Sequence, residues 1–464
     1  MSDRMTDPGT EVTDRLLDQW GTSPQGEGAA AAPAAASPAP AASPAPAVAP
    51  VSEVVATFRR WLHLEDPPTG LYAVLGAVAA NRMRGDPVWL LVVGPPSSGK
   101  TELVCSLGDL PDVHFAAVFT EAALLSGTGK KDRAADATGG LLRQIGEAGL
   151  VICKDFTSTL AQQRDTRAAA LAALREVYDG HWSRPVGTEG GKVLHWAGRL
   201  GLVAGCTPAI DAHHAVLSSL GDRFVLYRLP ATDAAKQGAA ALDRDDDTAM
   251  RAELAEAVTK LFTAVELAPM PPKLQGVERD RMVALATLAA RCRSTVERDG
   301  YKREVLFVPE AEPPARLARS LWRLLEGMTA LGVPRAEAWR VVAKVALDCM
   351  PSGRRAALGA LVAEKAEPTT TKVATRAGQP TNTIRRALED LAAHGVAVRD
   401  PQGRGKADRW RLSEQARGWW GSAHLPDISG TPRPGTVPEM SGGDGSGTLF
   451  DPSPEPDDPG RWRR

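Results

Sequence analysis

Val88-Trp-Leu-Leu-Val-Val-Gly94-Pro-Pro-Ser-Ser-Gly99-Lys100-Thr101 decides how this chain is read. The apolar run from Val88 to Val93 reads as a buried strand. It breaks directly into G-x-x-x-x-G-K-T and then into the helix-like Glu102-Leu-Val-Cys-Ser-Leu107. Strand, glycine-rich turn and helix in that order make a phosphate-binding loop. Gly94 and Gly99 let the backbone fold tightly, so that N–H groups of the turn point at a phosphate chain. Lys100 sets a cation on the β/γ-phosphates, the Thr101 hydroxyl is a ligand for Mg²⁺, and the helix N-terminus adds partial positive charge. Gly94, Pro95, Pro96, Ser97, Ser98, Gly99, Lys100, Thr101 and Glu102 are therefore the candidate nucleotide contacts, with ATP and Mg²⁺ as the expected cofactors.

A Mg²⁺ ion at such a loop needs an acid from a neighbouring strand. Gly149-Leu-Val-Ile-Cys-Lys-Asp155 supplies one, an apolar strand ending in a carboxylate about fifty residues on. The next position, where a Glu would polarise an attacking water, holds Phe156. Either the base comes from elsewhere or hydrolysis is slow or absent.

The bulk numbers bound the rest. A chain of 464 residues suggests two to four domains, and 43% hydrophobic content is ample for their cores. Lys+Arg of 55 against Asp+Glu of 56 leaves a net charge of -1, so any basic surface must be local. The five cysteines, Cys105, Cys153, Cys206, Cys292 and Cys349, lack C-x-x-C spacing. They read as reduced thiols of a cytoplasmic protein rather than as a disulfide framework or zinc site. His213 and His214, being adjacent, would point about 100° apart on a helix and make a poor metal pair. No apolar run reaches the length of a membrane span.

Residues 1–20 can form one short helix, and 21–52 is an Ala/Pro linker with too many prolines for a helix and nothing to bury. A P-loop core is expected over 53–235, a helical region acting as a lid over 236–350, a small module over 354–415 and a disordered tail over 421–464. Within the core, strands at 113–119, 150–153, 200–205 and 224–229 alternate with helices. The fold class is α/β, a doubly wound parallel sheet.

The block from about 86 to 230, under half of the chain, resembles the core of an AAA+ ATPase. Under that resemblance Thr207, at the end of the Leu200–Gly205 strand, matches the sensor 1 position that meets the γ-phosphate or its water. Arg223 in Gly221-Asp-Arg-Phe224 resembles an arginine finger reaching a neighbouring subunit's site, and Arg316 in Glu312-Pro-Pro-Ala-Arg-Leu317 resembles sensor 2. The stretch from Leu174 to Trp196 is similar to the pre-sensor 1 hairpin of bacterial enhancer-binding and minichromosome-maintenance ATPases. Leu124-Leu-Ser-Gly-Thr-Gly-Lys-Lys131 looks like the accompanying pore loop, with Lys130, Lys131, Arg133 and Lys192 suited to an acidic chain. The resemblance implies ATP hydrolysis in a homo-oligomer, with a ring as one form. The chain departs from it at Phe156 and at Lys154.

Near the C-terminus, Thr371 to Gly395 reads as helix, glycine turn, helix, with Thr381 as N-cap of the second helix and Ile384, Leu388 and Leu391 on its inner face. Strand, Gly/Arg turn and strand follow, up to Leu412. This resembles a winged helix-turn-helix. Thr383, Arg385 and Arg386 lie where a recognition helix meets base edges, and Arg404 and Lys406 lie at the wing tip. Between 369 and 412, nine Lys/Arg face four Asp/Glu, a net of +5. DNA is the expected partner, and a docked protein is the rival. Three readings stay open: an ATPase coupled to DNA handling, a DNA-binding transcription regulator with ATP as a ligand switch, and a protein-remodelling ATPase.

Overall fold

The computed structural model describes residues 50–425, except 63, 128–137, 188–190, 215, 217–222, most of 231–245 and 365. The short helix expected within 1–20, nearly all of the Ala/Pro linker and the 421–464 tail beyond Leu425 lie outside the described residues.

The core runs α1 (Pro50–Trp61), α2 (Thr69–Arg82), β1 (Trp89–Val93), α3 (Lys100–Cys105), β2 (Val113–Phe115), α4 (Glu121–Leu124), α5 (Leu141–Ile145), β3 (Ala148–Cys153), α6 (Thr157–Leu160), α7 (Arg164–Tyr178), β4 (His181–Val186), β5 (Lys192–Ala197), β6 (Arg199–Cys206) and β7 (Phe224–Arg228). Five strands form one parallel sheet in the order β2-β3-β6-β1-β7. Every residue of β1 and β7 is buried, which is why these strands read as unbroken apolar runs rather than as alternating ones. Helix α2 packs across β1, β3 and β6. Its Asn81 side chain holds both the N–H and the carbonyl of Val88, each at 2.8 Å, and so fixes where β1 begins. On the other face the Trp89 ring meets Tyr178 of α7 edge-on at 5.1 Å. The sheet is therefore covered on both sides, the doubly wound α/β arrangement that the sequence predicts.

The chain continues as α8 (Asp247–Ala264), α9 (Gly276–Arg293), β8 (Glu297–Arg298), β9 (Val305–Phe307), α10 (Ala315–Ala330) and α11 (Arg335–Asp348). The sequence predicts a single helix over 279–298. The helix stops at Arg293 instead, and an antiparallel hairpin of β8 and β9 follows. Helices α10 and α11 pack against α2 and β7, on the flank of the core. Helices α2 and α10 approach closely. A Cβ on Gly76 would collide with Met328, and one on Gly327 with the Gly76 carbonyl, so only glycine permits this crossing. Buried Arg323 donates to the carbonyls of Ala80, Met83 and Arg84, the last acceptors of α2. These bonds fix the direction of α10. Its N-terminal half lies beside the end of α2 and the entry to β1.

The last module comprises α12 (Ser352–Val362), α13 (Thr370–Ala377), α14 (Thr381–Ala393), β10 (Ala397–Asp400), β11 (Arg409–Leu412) and α15 (Glu414–Ser422). Three helices pack together beside the β10–β11 antiparallel hairpin. Thr369 caps α13, and Gly378 ends it with φ 61°. The sequence expects Thr381 to cap α14. Thr381 is instead the first helical residue, Pro380 holds the cap position, and no side chain caps the helix. The module is docked on the preceding helices. Arg354 of α12 donates to the Cys292 and Ser294 carbonyls at the end of α9, and α15 packs along α9 with Arg281 donating to the Ala423 carbonyl at 3.1 Å.

A buried ionic network joins all three regions. Asp348, at the end of α11, is fully buried. Its carboxylate accepts from the Arg228 N–H at 2.7 Å and pairs with Lys344 and Arg355, both buried. Arg228, the last residue of β7, is held bidentately by Asp211 at 2.7 and 2.9 Å. Burial pushes the Asp211 carboxyl up, but the Arg228 charge and hydrogen bonds more than reverse this and hold its pKa below the usual value. Among the described residues no helix is long and apolar enough to cross a membrane.

Candidate nucleotide site

The parallel register brings the carboxyl ends of β1, β3 and β6 together, the edge where open α/β sheets bind ligands. The Gly94 N–H donates to the Cys206 carbonyl at 3.0 Å, and the Phe156 N–H to the Gly205 carbonyl at 2.7 Å. The G-x-x-x-x-G-K-T turn, the Asp155 loop and Thr207 are thus held at one level.

Within the turn, Pro95 and Pro96 carry no N–H, so inward donors can come only from Ser97 onward. Ser97 and Gly99 both adopt positive φ, 63° and 80°, which curls the backbone before α3. A Cβ on Gly94 would lie 2.6 Å from the Ser98 hydroxyl, whereas one on Gly99 would meet nothing. The Ser98 hydroxyl is buried and has no hydrogen-bond partner among the protein atoms. A concave turn with open space over Gly99 and an unsatisfied buried hydroxyl fits a phosphate chain. Lys100 is buried and donates to the Pro95 carbonyl at 2.9 Å. Burial pulls its ammonium below the usual pKa, and the Asp155 carboxylate pulls the other way, so the two charges act on one another across the site. Asp155 is exposed, and its carboxylate accepts from the Thr157 N–H at 3.0 Å, leaving oxygen lone pairs for a hard cation. Thr101 is likewise exposed on the first turn of α3.

One residue here escapes the sequence reading. The Thr157 hydroxyl lies 3.2 Å from that of Thr207 and accepts the Thr207 N–H at 3.0 Å. The segments that follow β3 and β6 are therefore tied through a pair of hydroxyls. The sequence signal for it is its place two residues after Asp155, next to Phe156 where a Glu is expected. Phe156 is fully buried between Phe119 and Phe224, with ring centroids 6.0 and 5.2 Å away, so this backbone position faces the core and could not present a carboxylate to water. Burial also pushes the Cys206 thiol up to about 11, so it stays protonated beside Thr157.

Two expected contacts, Glu102 and Arg316, fall elsewhere, and the Arg223 side chain is engaged within its own chain. Glu102 follows the turn, but its carboxylate is taken bidentately by Arg251 of α8 at 3.0 and 2.8 Å. Arg223, expected as a finger for a neighbouring subunit's site, is 7% exposed, bonds Asp179 at 2.6 Å and lies over the Tyr178 ring. It also precedes β7, at the end of the sheet opposite the P-loop. To act on another subunit it would have to leave that ion pair. Arg316, expected as sensor 2, pairs with Glu312 at 3.3 Å on the first turn of α10. That turn lies on the side of Arg319, which pairs with Asp86 before β1, again away from the P-loop. The direction of α10 rules out contact between Arg316 and this turn.

The expected hairpin is present as β4–β5, with Val186 paired to Lys192 and Trp182 to Trp196. It lies against the segment expected as the pore loop: Arg184 donates to the Leu125 carbonyl, and Val186 packs on Gly127. Lys192 is exposed. Lys130, Lys131 and Arg133 lie outside the described residues. In the last module, Thr383 and Arg385 are exposed on α14, Arg386 is half-buried, and Arg404 and Lys406 are exposed between β10 and β11.

No protein-family model matches the chain, nor does any curated protein sequence. Among solved structures, the chain is similar to a full-length MCM homolog from Methanopyrus kandleri, with TM-score 0.39 and 15% identity over 68% of this chain and 63% of that one. It is also similar to the NrS-1 C-terminal region, with TM-score 0.27 and 12% identity over 47% of this chain and 46% of that one. The chain spans less than two thirds of either structure.

The hydroxyl pair carries its own prediction. Thr157→Val is expected to lower ATP turnover on the order of 10²-fold while nucleotide affinity changes little, because the lost hydroxyl orients Thr207 rather than binding phosphate. Thr157→Ser should restore most of the rate. Equal losses in Thr157→Val and Thr157→Ser would assign Thr157 to packing alone.

Proposed function

We propose that this chain is a Mg²⁺-dependent ATPase of the AAA+ type that couples its nucleotide cycle to DNA, bound by the module at 352–412 acting as a winged helix. The observation that carries the reading is the convergence of Lys100, Asp155, Thr157 and Thr207 at the carboxyl ends of three adjacent strands. When bound, Mg²⁺ supplies positive charge and Lewis acidity to the terminal phosphates. Thr101 and Asp155 would hold that ion. Lys100 neutralises charge on the phosphate chain, the turn N–H groups orient it, and the Thr157–Thr207 pair directs a hydroxyl at the γ-phosphate end. The exposed Arg385 and Thr383 support base contacts, and Arg404 and Lys406 support phosphate contacts. Assembly of several copies belongs to the same reading.

A second reading, in which ATP is chiefly a ligand that switches DNA binding, is favoured by Phe156. No carboxylate follows Asp155, and threonine hydroxyls are poor bases at neutral pH. Steady-state ATP hydrolysis by the full chain, with and without duplex DNA, separates the two. DNA-stimulated turnover supports the coupled ATPase. Nucleotide-dependent DNA affinity with negligible turnover supports the switch. If neither variant pair, Arg385→Ala/Arg386→Ala nor Arg404→Ala/Lys406→Ala, changes DNA affinity, the DNA assignment fails.

A further inference from the structure

The β8–β9 hairpin has no part in the nucleotide site, yet it is built beside α14. Glu297-Arg-Asp-Gly-Tyr-Lys-Arg-Glu-Val-Leu-Phe307 turns tightly. Asp299 accepts from the Lys302 N–H at 2.8 Å and also caps the Tyr301 N–H. The Asp299 N–H bonds the Glu304 carbonyl at 2.9 Å, and Arg303 sits at φ 60°. The turn is therefore held by the Asp299 carboxylate and one backbone bond, while all seven side chains from Tyr301 to Phe307 are exposed. Tyr301 is 93% exposed, Leu306 70% and Phe307 58%.

One guanidinium fixes where this turn lies. Arg298, almost buried, donates to the Arg303 carbonyl at 2.8 Å and to the Arg386 carbonyl at 3.1 Å. It also binds Asp390 at 2.6 Å and Glu389 at 3.0 Å. Arg303 and Arg386 are thus one side chain apart. The two acidic residues of α14 are neutralised, Asp390 by Arg298 and Arg354 together. The Arg298 bridge therefore sets the turn that carries Lys302 and Arg303 beside the α14 backbone at Arg386, with Glu297 and Glu304 as the exposed acids of the same hairpin.

We propose that the 297–307 hairpin is a second DNA-contacting element, in which Lys302 and Arg303 grip the phosphodiester backbone and Tyr301 lays its ring on the sugar–base edge of the same strand. This rests on the reading that α14 and its wing bind DNA. The two cations are adjacent on a turn whose backbone is held by Asp299 and Arg298, and their charge is complementary to phosphate. An exposed aromatic next to a pair of basic residues is suited to a nucleic-acid strand.

The test is fluorescence anisotropy with the full chain and labelled duplex DNA across a salt series. Lys302→Ala/Arg303→Ala should flatten the log-affinity against log-salt slope by about 1.8 units, as expected for two lost phosphate contacts. The effect should add to that of Arg404→Ala/Lys406→Ala, and ATPase activity without DNA should be unchanged. Tyr301→Ala should weaken binding with the slope unaltered. If the wing variant loses affinity but the Lys302/Arg303 variant matches the parent, the hairpin proposal falls and the winged-helix reading stands. If neither variant changes binding, both fall. If Phe307→Ser alters the mass of the particle in solution while the Lys302/Arg303 slope stays parental, the hairpin is a contact between copies of the chain and the proposal is overturned.

Discussion

Lys100→Ala is expected to lower ATP hydrolysis by about 10²–10³-fold or more, and to weaken nucleotide binding as well. Lys100 is the cation of the turn, already stripped of most of its water and held over the Pro95 carbonyl. An alanine there removes the turn's own cation and leaves the phosphate charge to the backbone N–H groups and the metal alone. Asp155→Ala should separate the two effects, weakening Mg²⁺-dependent turnover more than nucleotide affinity, because it removes the ion's acid and not the phosphate cradle. Fluorescent-nucleotide titration beside steady-state kinetics reads both quantities. Parental turnover in Lys100→Ala would move the activity away from this turn altogether.

Asp348→Ala should destabilise the fold by about 3–5 kcal/mol in equilibrium urea unfolding, among the larger effects for a residue far from any ligand. The carboxylate is fully buried and serves Lys344, Arg355 and the Arg228 backbone at once. Its removal strands two buried cations, and burying a charge without its counter-charge costs far more than losing an exposed pair. Asp348→Asn keeps an acceptor but not the charge and should recover only a part. A loss below about 1 kcal/mol for Asp348→Ala would mean that water or the remaining partners relax around the cations at little cost.

The sequence carried the core well because two periodicities meet there. An unbroken apolar run means a strand buried on both faces, and the glycines mark the turn that follows. Lys100, Asp155 and Thr207 were legible since each sits at a strand's carboxyl end, a position that the motif itself defines. Thr157 was hidden by an expectation of a carboxylate, in a backbone position that the core reserves for Phe156. Arg316 lies away from the turn for a different reason. A helix or strand can be read along the chain, but its direction in space is set by distant contacts such as Arg323 on the end of α2, and these have no local signature. The β8–β9 hairpin was missed because the pattern of α9 runs on past Arg293 into polar residues that a helix would also tolerate. Arg298 gains its acidic partners, Glu389 and Asp390, from about ninety positions away.

The way the last module is fastened has a consequence for how it opens. A unit of roughly sixty residues buries too little surface to hold itself firmly closed. Here Arg354 ends α9, the Arg298 guanidinium grips α14, and α15 lies along α9. Amide protons of α14 should therefore exchange with deuterium on the same timescale as those of α9, as one cooperative unit, instead of at the faster rate of a tethered appendage. Slow exchange in α14 would then be a property that it borrows from its neighbour.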